Sequence, residues 1–158
     1  MDLESIYNRH VETVYRLCLV KMKHLQDAED VTQQTFLQLM KNPQEFSSTE
    51  HEKAWLIVTA SNLCKNSLKC WFRSKRSDPE LLERLETEDE RDEVLELLFT
   101  LDKESRELLY LTYYEGYKSD ELEKMLGVKA STIRSRLSKA RDILKLEMEK
   151  DDEERRIK

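Results

Sequence analysis

A run of hydroxyl and basic side chains near the C-terminus is the part of the sequence best suited to bind a nucleic acid. Between Lys129 and Lys145 there are six basic residues and one acidic residue, Asp142. Short hydroxyl side chains can meet phosphate oxygens or base edges, and arginine can bind guanine or phosphate. The residues predicted to contact duplex DNA are Ser131, Thr132, Arg134, Ser135, Arg136 and Lys139.

A second basic segment, Asn62–Arg76, carries five Lys or Arg residues and no acidic residue. Its amides and cations recur at steps of three or four, which places them on one side of a helix. Such a face can hold a nucleic-acid backbone while the nearby Trp71 and Phe72 stack on bases. The same pattern also fits a solvated helix face with aromatic residues in the core, and both interpretations stay open. The candidate contacts are Asn62, Lys65, Asn66, Lys69 and Arg73.

The sequence offers no set of residues typical of catalysis. It has no glycine-rich phosphate loop and no GxSxG motif, and no histidine is placed with a nucleophile and an acid. The three cysteines form no CxxC pair and the three histidines no ligand spacing, so we expect free thiols, no metal and no cofactor. We therefore expect a protein that is not an enzyme.

The charge distribution favours a nucleic-acid partner although the net charge is −6. Residues 1–77 carry 11 basic and 9 acidic side chains, and residues 108–158 carry 12 and 11. The segment between them, 78–107, carries 4 basic and 13 acidic side chains. The basic groups thus concentrate locally at the two ends of the chain, on either side of an acidic bridge, as in proteins with a nucleic-acid partner.

The composition and periodicity predict an all-α protein built from two small helical modules. With 2 glycines and 2 prolines there are few of the residues that hairpins need. In the N-terminal half, apolar residues at steps of three and four predict a helix over 3–23. A second helix is expected to begin with Asp27 as its N-cap and to stop at Asn42-Pro43, with its apolar stripe reaching Met40. A third is expected over 50–74, with a capping box formed by Thr49 and Glu52.

The C-terminal half reads as four short helices with glycine at two of the boundaries. Gly116 and Gly127 mark helix ends that need a positive φ, and Asp102 marks a helix start. The predicted helices cover about residues 92–100, 103–115, 119–126 and 130–149. The predicted domains are 1–76, an acidic and partly helical linker 77–92, a second domain 93–150, and a charged tail 151–158 that is expected to fray.

The last two predicted helices form a helix-turn-helix. A short helix with Leu122 facing inward ends at Gly127, and three residues later a second helix begins, with Ile133 and Leu137 facing inward. An amphipathic helix in a plain bundle would show the same periodicity, but the turn and the basic bias together favour DNA binding. No apolar run is long enough to span a membrane, and the N-terminus lacks the pattern of a signal peptide. We expect a cytoplasmic protein without membrane insertion.

Four segments resemble, in order, the motifs of bacterial RNA polymerase sigma factors of the extracytoplasmic-function group. Asp27–Leu37 resembles the DAEDxxQxxF segment of that family, and Trp55–Leu63 resembles its WLxxIAxN segment. Gly116–Gly127 and Thr132–Arg141 resemble the GxSxxEIAxxLG and TVKSRLxRAR segments of its C-terminal module. Together the four motifs span nearly the whole chain, and the chain is identified as a divergent member of this family.

The resemblance implies partners and roles. It implies a region-2-type domain that binds core RNA polymerase, with Asp27, Asp30, Gln33 and Gln34 as contacts and Phe36 in the core. It also implies that the loop 43–49 and the 62–73 helix face melt and capture the minus-ten element of promoter DNA as a single strand. The helix-turn-helix would read the minus-thirty-five element as duplex. An anti-sigma factor is implied as a further partner.

Several positions depart from the family pattern. Glu123 stands where the family has a small alanine, so this side chain is expected to swing out or to widen the helix crossing. Thr59, Ser61, Asn66, Lys69 and Ser131 also differ from the usual residues. Two alternatives stay open. One is a stand-alone helix-turn-helix transcriptional regulator with an N-terminal dimerisation or sensor module, and the other is a degenerate sigma-like protein that binds a partner but no promoter.

Overall fold

The chain folds into helices that belong to two compact units. A computed structural model describes residues 2–75 of the first unit and residues 97–157 of the second, and within these ranges it contains helices and no strand. The all-α prediction is therefore confirmed. No helix of the described residues is long and apolar enough to cross a membrane. The predicted linker 77–92 lies outside the described residues.

Residues 2–75, the described part of the N-terminal unit, form a bundle of three helices around one core. Helix α1 spans Leu3–Met22, α2 spans Leu25–Lys41 and α3 spans Thr49–Lys75, and each packs against the other two. These bounds agree closely with the predicted helices at 3–23 and 50–74. The core side chains come from all three helices, and the largest fully buried ones are Val14, Leu17, Val31, Leu39, Leu56 and Ile57.

The start of α2 differs from the prediction because its cap is not an aspartate. Lys23 adopts a left-handed conformation with φ 66° and closes α1, its N–H donating to the Leu19 carbonyl at 3.0 Å. This sharp turn leaves His24 extended, and its ring Nδ1 accepts the Asp27 N–H at 3.4 Å. The N-cap is therefore His24, and Asp27 lies in the first turn, where the helix dipole favours a carboxylate.

The predicted capping box of α3 is also wrong. The Ser48 hydroxyl accepts the His51 N–H at 3.1 Å and so takes the capping role expected of Thr49. The Glu52 side chain does not reach back to the backbone. It lies 2.9 Å from the Arg9 guanidinium and 3.1 Å from the His10 ring, both on α1. A charged partner across the helix interface has replaced a local backbone contact.

Between Lys103 and Ile157, the described part of the C-terminal unit forms three α-helices and one π-helical turn. Helix α4 spans Lys103–Leu109, the π-helical turn follows over Tyr110–Tyr114, α5 spans Ser119–Leu126 and α6 spans Ala130–Ile157. The Asp102 carboxylate caps α4 by accepting the Ser105 N–H at 2.9 Å, as predicted. The predicted helix 103–115 is found, but its last turn has the wider i→i+5 hydrogen bonding, with the Glu115 N–H donating to the Tyr110 carbonyl at 3.2 Å. Of the predicted helix 92–100, residues 97–100 lie among the described residues. Leu97 and Leu98 are helical, whereas Phe99 and Thr100 form a turn, so the helix ends before the predicted residue 100.

Helix α6 is longer than predicted. It continues through the charged tail to Ile157 instead of ending near residue 149. The tail contains neither glycine nor proline, and oppositely charged neighbours such as Glu147 and Lys150, 3.6 Å apart, favour a solvated helix. The prediction that the segment 151–158 frays is wrong for residues 151–157.

Candidate nucleic-acid interface

The helix-turn-helix forms as the sequence predicts. Gly127 has φ 74° and ends α5, its N–H donating to the Glu123 carbonyl at 2.9 Å. Helix α6 starts three residues later. Leu122 of α5 and Ile133 of α6 are completely buried, and Leu137 and Ala140 continue the buried side of α6. This packing holds α6 against the rest of the unit and directs its opposite side to solvent.

The predicted duplex-binding residues lie together on the first three turns of α6. Ser131, Arg134, Ser135, Arg136 and Lys139 are exposed, and Thr132 is half-buried. Because successive residues of an α-helix turn by about 100°, Ser131 and Ser135 run along the middle of the exposed side, opposite Ile133 and Leu137. Arg134 lies on one flank of this row and Lys139 on the other. The surface thus offers hydroxyl groups at its centre and cations at its edges.

Arg136 occupies an edge of this surface that faces the start of α4. The pKa of Asp102 is lowered, chiefly by its hydrogen bond with Ser105 and further by the positive charges of Arg136 and Arg106. Arg136 therefore lies close enough to Asp102 to be attracted by it. The charge of Arg136 is therefore partly balanced within the protein.

The sequence did not predict the two exposed tyrosines that lie beside α6. Tyr113 and Tyr114, in the π-helical turn, are each 60% exposed, and the Tyr113 hydroxyl accepts a hydrogen bond from Arg141. The Tyr114 ring stacks on Tyr110 at 5.3 Å between centroids. The aromatic run from Tyr110 to Tyr117 was the available signal. Its periodicity could not show which rings are exposed, because the π-helical turn shifts them.

Glu123 swings out of the α5–α6 interface, the first of the two outcomes that its position allowed. Its residue is exposed, and Oε1 accepts the Ala130 N–H at 3.0 Å. Ala130 is the first residue of α6. The side chain that departs from the family pattern is therefore an N-terminal cap for the helix that carries the predicted DNA contacts.

The second predicted surface lies on α3. Asn62, Lys65 and Asn66 are exposed on the side opposite the buried Ala60 and Cys64. Lys69 and Arg73 belong to the same helix, but their side chains lie outside the described residues, as do those of Trp71 and Phe72. The structure thus brings together three of the five candidates.

The loop between α2 and α3 is held against the start of α3 by aromatic contacts. The Phe46 ring meets His51 edge-on at 5.2 Å and Trp55 at 6.0 Å between centroids. The Ser47 N–H donates to His51 Nδ1 at 3.1 Å. These contacts place the loop beside the first turns of the helix whose distal part carries Asn62, Lys65 and Asn66.

The third predicted surface lies on α2 and is partly apolar. Asp30, Gln33 and Gln34 are exposed, and the Asp27 carboxylate lies 3.4 Å from His24. Phe36 is buried as predicted. Met40, which was predicted to lie in the buried stripe, is 55% exposed, and Leu37 is 48% exposed. Both follow Gln33 on the solvent side, so the surface combines amide, carboxylate and apolar groups.

The described residues contain no group of three or more His, Cys, Asp or Glu side chains that could hold a metal ion. Cys18 and Cys64 are buried thiols outside any disulfide. Cys70 lies where side chains are not described. The described surfaces therefore consist of hydrogen-bonding, charged and apolar groups.

Comparison with known proteins places both units in one family. The model of "Sigma-70 region 2" matches residues 6–75, and that of "Sigma-70, region 4" matches residues 91–144. The ECF RNA polymerase sigma factor SigE of Mycolicibacterium smegmatis is 29% identical over 90% of this chain, which spans 60% of that relative. SigL of Mycobacterium tuberculosis is 26% identical over 93% of this chain and 89% of its own length. The fold resembles that of the sigma factor RpoE in complex with the anti-sigma factor NepR from Bartonella quintana, with TM-score 0.74, 17% identity and coverage of 92% of this chain and 96% of the other.

Proposed function

Because this chain belongs to the sigma-70 family, in its extracytoplasmic-function group, we propose that it binds core RNA polymerase and directs promoter-specific transcription initiation. In this role the C-terminal unit reads the minus-thirty-five element as duplex. The N-terminal unit melts the minus-ten element and captures it as a single strand. The protein acts by binding and performs no catalysis of its own, since the polymerase makes the RNA.

The main support for this proposal is the set of side chains on the exposed side of α6. Ser131, Ser135, Arg134 and Lys139 are exposed there. The turn at Gly127 and the buried contacts of Ile133 and Leu137 hold this helix in place. A major groove admits one α-helix, whose first turns meet the base edges. In this arrangement the central serines and Arg134 reach bases, while Lys139 and the edge residue Arg136 contact phosphates and fix the register.

The α3 surface and the α2–α3 loop suit the capture of an unpaired strand. Asn62 and Asn66 can donate to and accept from base edges, and Lys65 between them attracts the backbone. We assign Lys69 and Arg73 to the same face by their spacing along α3. The contact between Phe46 and Trp55 holds one edge of the loop in place. Less of the loop then has to become ordered when a single strand binds, so the entropic cost of binding is lower.

The exposed side of α2 is the proposed docking surface for core RNA polymerase. Asp27, Asp30, Gln33 and Gln34 supply its polar contacts. Leu37 and Met40 supply apolar area that is costly to leave in water and that a protein partner can bury. Nucleic acid offers little to two aliphatic side chains beside a carboxylate, so the composition of this surface favours a protein.

Family membership also suggests a cellular location and a further partner for the protein. We propose that the protein works in the cytoplasm, where the polymerase is. We also propose that an anti-sigma factor restrains it, since a relative of the same fold was crystallised with such a partner.

Run-off transcription tests the proposal. The purified chain is mixed with core RNA polymerase and a library of promoter-like duplexes, and the transcribed templates are sequenced. Enrichment of two spaced elements that depends on the chain is the expected result. Arg134→Ala should reduce enrichment of one element, and Asn62→Ala together with Asn66→Ala should reduce enrichment of the other.

The alternatives predict different outcomes of the same experiment. A chain that retains duplex but neither binds core polymerase nor supports run-off is a stand-alone helix-turn-helix regulator. A chain that binds core polymerase but enriches no template is a degenerate sigma-like protein. Either outcome refutes the proposed function.

A further inference from the structure

The carboxylate of Glu123 joins the two helices of the helix-turn-helix where α6 begins. It projects from α5 across the turn that contains Gly127, and its Oε1 accepts the N–H of Ala130, seven residues along the chain, at 3.0 Å. The first N–H groups of a helix have no partner within the helix and need one from elsewhere. Here the partner is a negative charge supplied by the neighbouring helix.

We propose that Glu123 is a positioning residue that makes duplex recognition by α6 more selective. Its hydrogen bond fixes the first turn of α6, and its charge opposes a DNA phosphate at the same helix end. The proposal rests on the proposed reading of duplex DNA by α6.

The physical basis is the competition between two anions for one helix end. Helix N-termini attract phosphate through unpaired N–H groups and the positive end of the dipole, whatever the DNA sequence. Glu123 occupies the Ala130 N–H and partly offsets the dipole. Sequence-independent attraction at this end therefore falls, whereas contacts from Ser131, Ser135 and Arg134 to base edges are unaffected. The ratio of specific to non-specific binding rises as a result.

Two substitutions separate the hydrogen bond from the charge. Glu123→Gln keeps an acceptor oxygen of similar reach and removes the charge, whereas Glu123→Ala removes both. Asp120→Asn is the matched control, because it removes one negative charge from an exposed position on the same helix, one turn from Glu123. All variants are made in the full chain.

The first measurement is amide hydrogen exchange by NMR and does not involve DNA. The Ala130 N–H should exchange faster in Glu123→Ala than in the wild type, while Glu123→Gln and Asp120→Asn keep its protection. Equal protection of Ala130 in all four proteins overturns the positioning role, whether or not the protein binds DNA.

The second measurement is the affinity for a random-sequence duplex and for the selected minus-thirty-five element, between about 50 and 200 mM salt. Glu123→Gln should bind the random duplex about three- to tenfold more tightly than wild type, the effect of removing one charge several ångströms from a phosphate. Its salt dependence should be steeper, and its preference for the selected element should fall. An affinity gain no larger than that of Asp120→Asn overturns the selectivity role. Failure of the wild type to bind any duplex, alone or with core polymerase, refutes the proposed function instead, and the exchange result for Ala130 still stands.

Discussion

The contact between Glu52 and helix α1 gives a prediction whose size follows from the structure. Both carboxylate oxygens accept from the Arg9 guanidinium, at 2.9 and 3.0 Å. The His10 ring nitrogen Nε2 lies 3.1 Å from Oε1, and since a carboxylate only accepts hydrogen bonds, Nε2 carries the proton. The Glu52 side chain is 13% exposed and that of His10 is 5% exposed. One carboxylate therefore ties α3 to α1 in a largely buried place.

Replacing Glu52 by glutamine removes the charge and leaves one oxygen to serve two donors. Hydrogen bonds to charged groups contribute about 1.5–3 kcal/mol each, but the Arg9 side chain is 44% exposed and water weakens its share. We therefore expect Glu52→Gln to lower the free energy of unfolding of the N-terminal unit by about 2 kcal/mol. Glu50→Gln is the control, because Glu50 is an exposed glutamate in the same first turn of α3.

The assay is urea denaturation followed by tryptophan fluorescence. The chain has 2 tryptophans, Trp55 and Trp71, and both belong to α3, so the signal reports the N-terminal unit alone. At neutral pH the midpoint of Glu52→Gln should fall by about 1 M urea relative to wild type, given a slope of about 2 kcal/mol per molar. The midpoint of Glu50→Gln should stay close to that of the wild type.

The pH dependence of the stability difference between wild type and Glu52→Gln tests this reasoning. Burial raises the pKa of Glu52, but the hydrogen bonds and charges of Arg9 and His10 together outweigh this, and the pKa lies below its ordinary value of 4.5. A lowered pKa stabilises the fold above the unfolded-state value, and that stability is lost as the pH falls through the folded-state value. The difference between wild type and Glu52→Gln should therefore shrink below pH 4.5. A difference that persists after Glu52 is protonated, or one no larger than that of Glu50→Gln, refutes the reasoning.

Three further predictions concern the surfaces and the turn. Leu37→Asp with Met40→Asp should weaken binding to core RNA polymerase by at least tenfold in a co-purification titration, with an unchanged urea midpoint; unchanged binding removes α2 from the docking surface. Arg134→Ala should cost about 1–3 kcal/mol on the selected duplex in fluorescence anisotropy, with relaxed preference at one base position; an equal loss on random duplex would make Arg134 a phosphate contact. Gly127→Ala should destabilise the C-terminal unit by about 1–2 kcal/mol in thermal unfolding, because φ is 74° although a Cβ would meet nothing within 4 Å; an unchanged transition would show that the turn adapts without strain.

The sequence predicted the helices better than it predicted their ends. The apolar stripes of α1 and α5 gave bounds within one residue, because burial on one side imposes a period that few other structures share. The prediction for the cap of α3 failed because a tertiary contact replaced the local one. Glu52 had the spacing of a capping box, but Arg9 on another helix offered a stronger partner. No local pattern contains that information.

The sequence predicted the polar residues of the candidate surfaces. It did not predict the apolar residues and backbone groups beside them. Polar residues such as Gln33 and Ser135 lie on the solvent side, as their spacing required. Leu37 and Met40 were missed because an apolar side chain is assigned to the core by default, and only the packed bundle shows which ones the core cannot reach. The role of Glu123 was missed for a related reason, since its partner is a backbone N–H of the next helix.

The π-helical turn at Tyr110–Tyr114 has a consequence for comparing this chain with its relatives. An i→i+5 turn contains one residue more than an α-helical turn in nearly the same length of helix. A relative with a regular helix here spans the distance with one residue fewer, and a gapless alignment then slips by one position on one side of the turn. To find the counterpart of Tyr113 in a relative with a regular helix, an alignment therefore needs a single-residue gap between positions 110 and 114. Without that gap, residues that occupy different places in the helix would be aligned with each other, and their difference would be mistaken for a substitution.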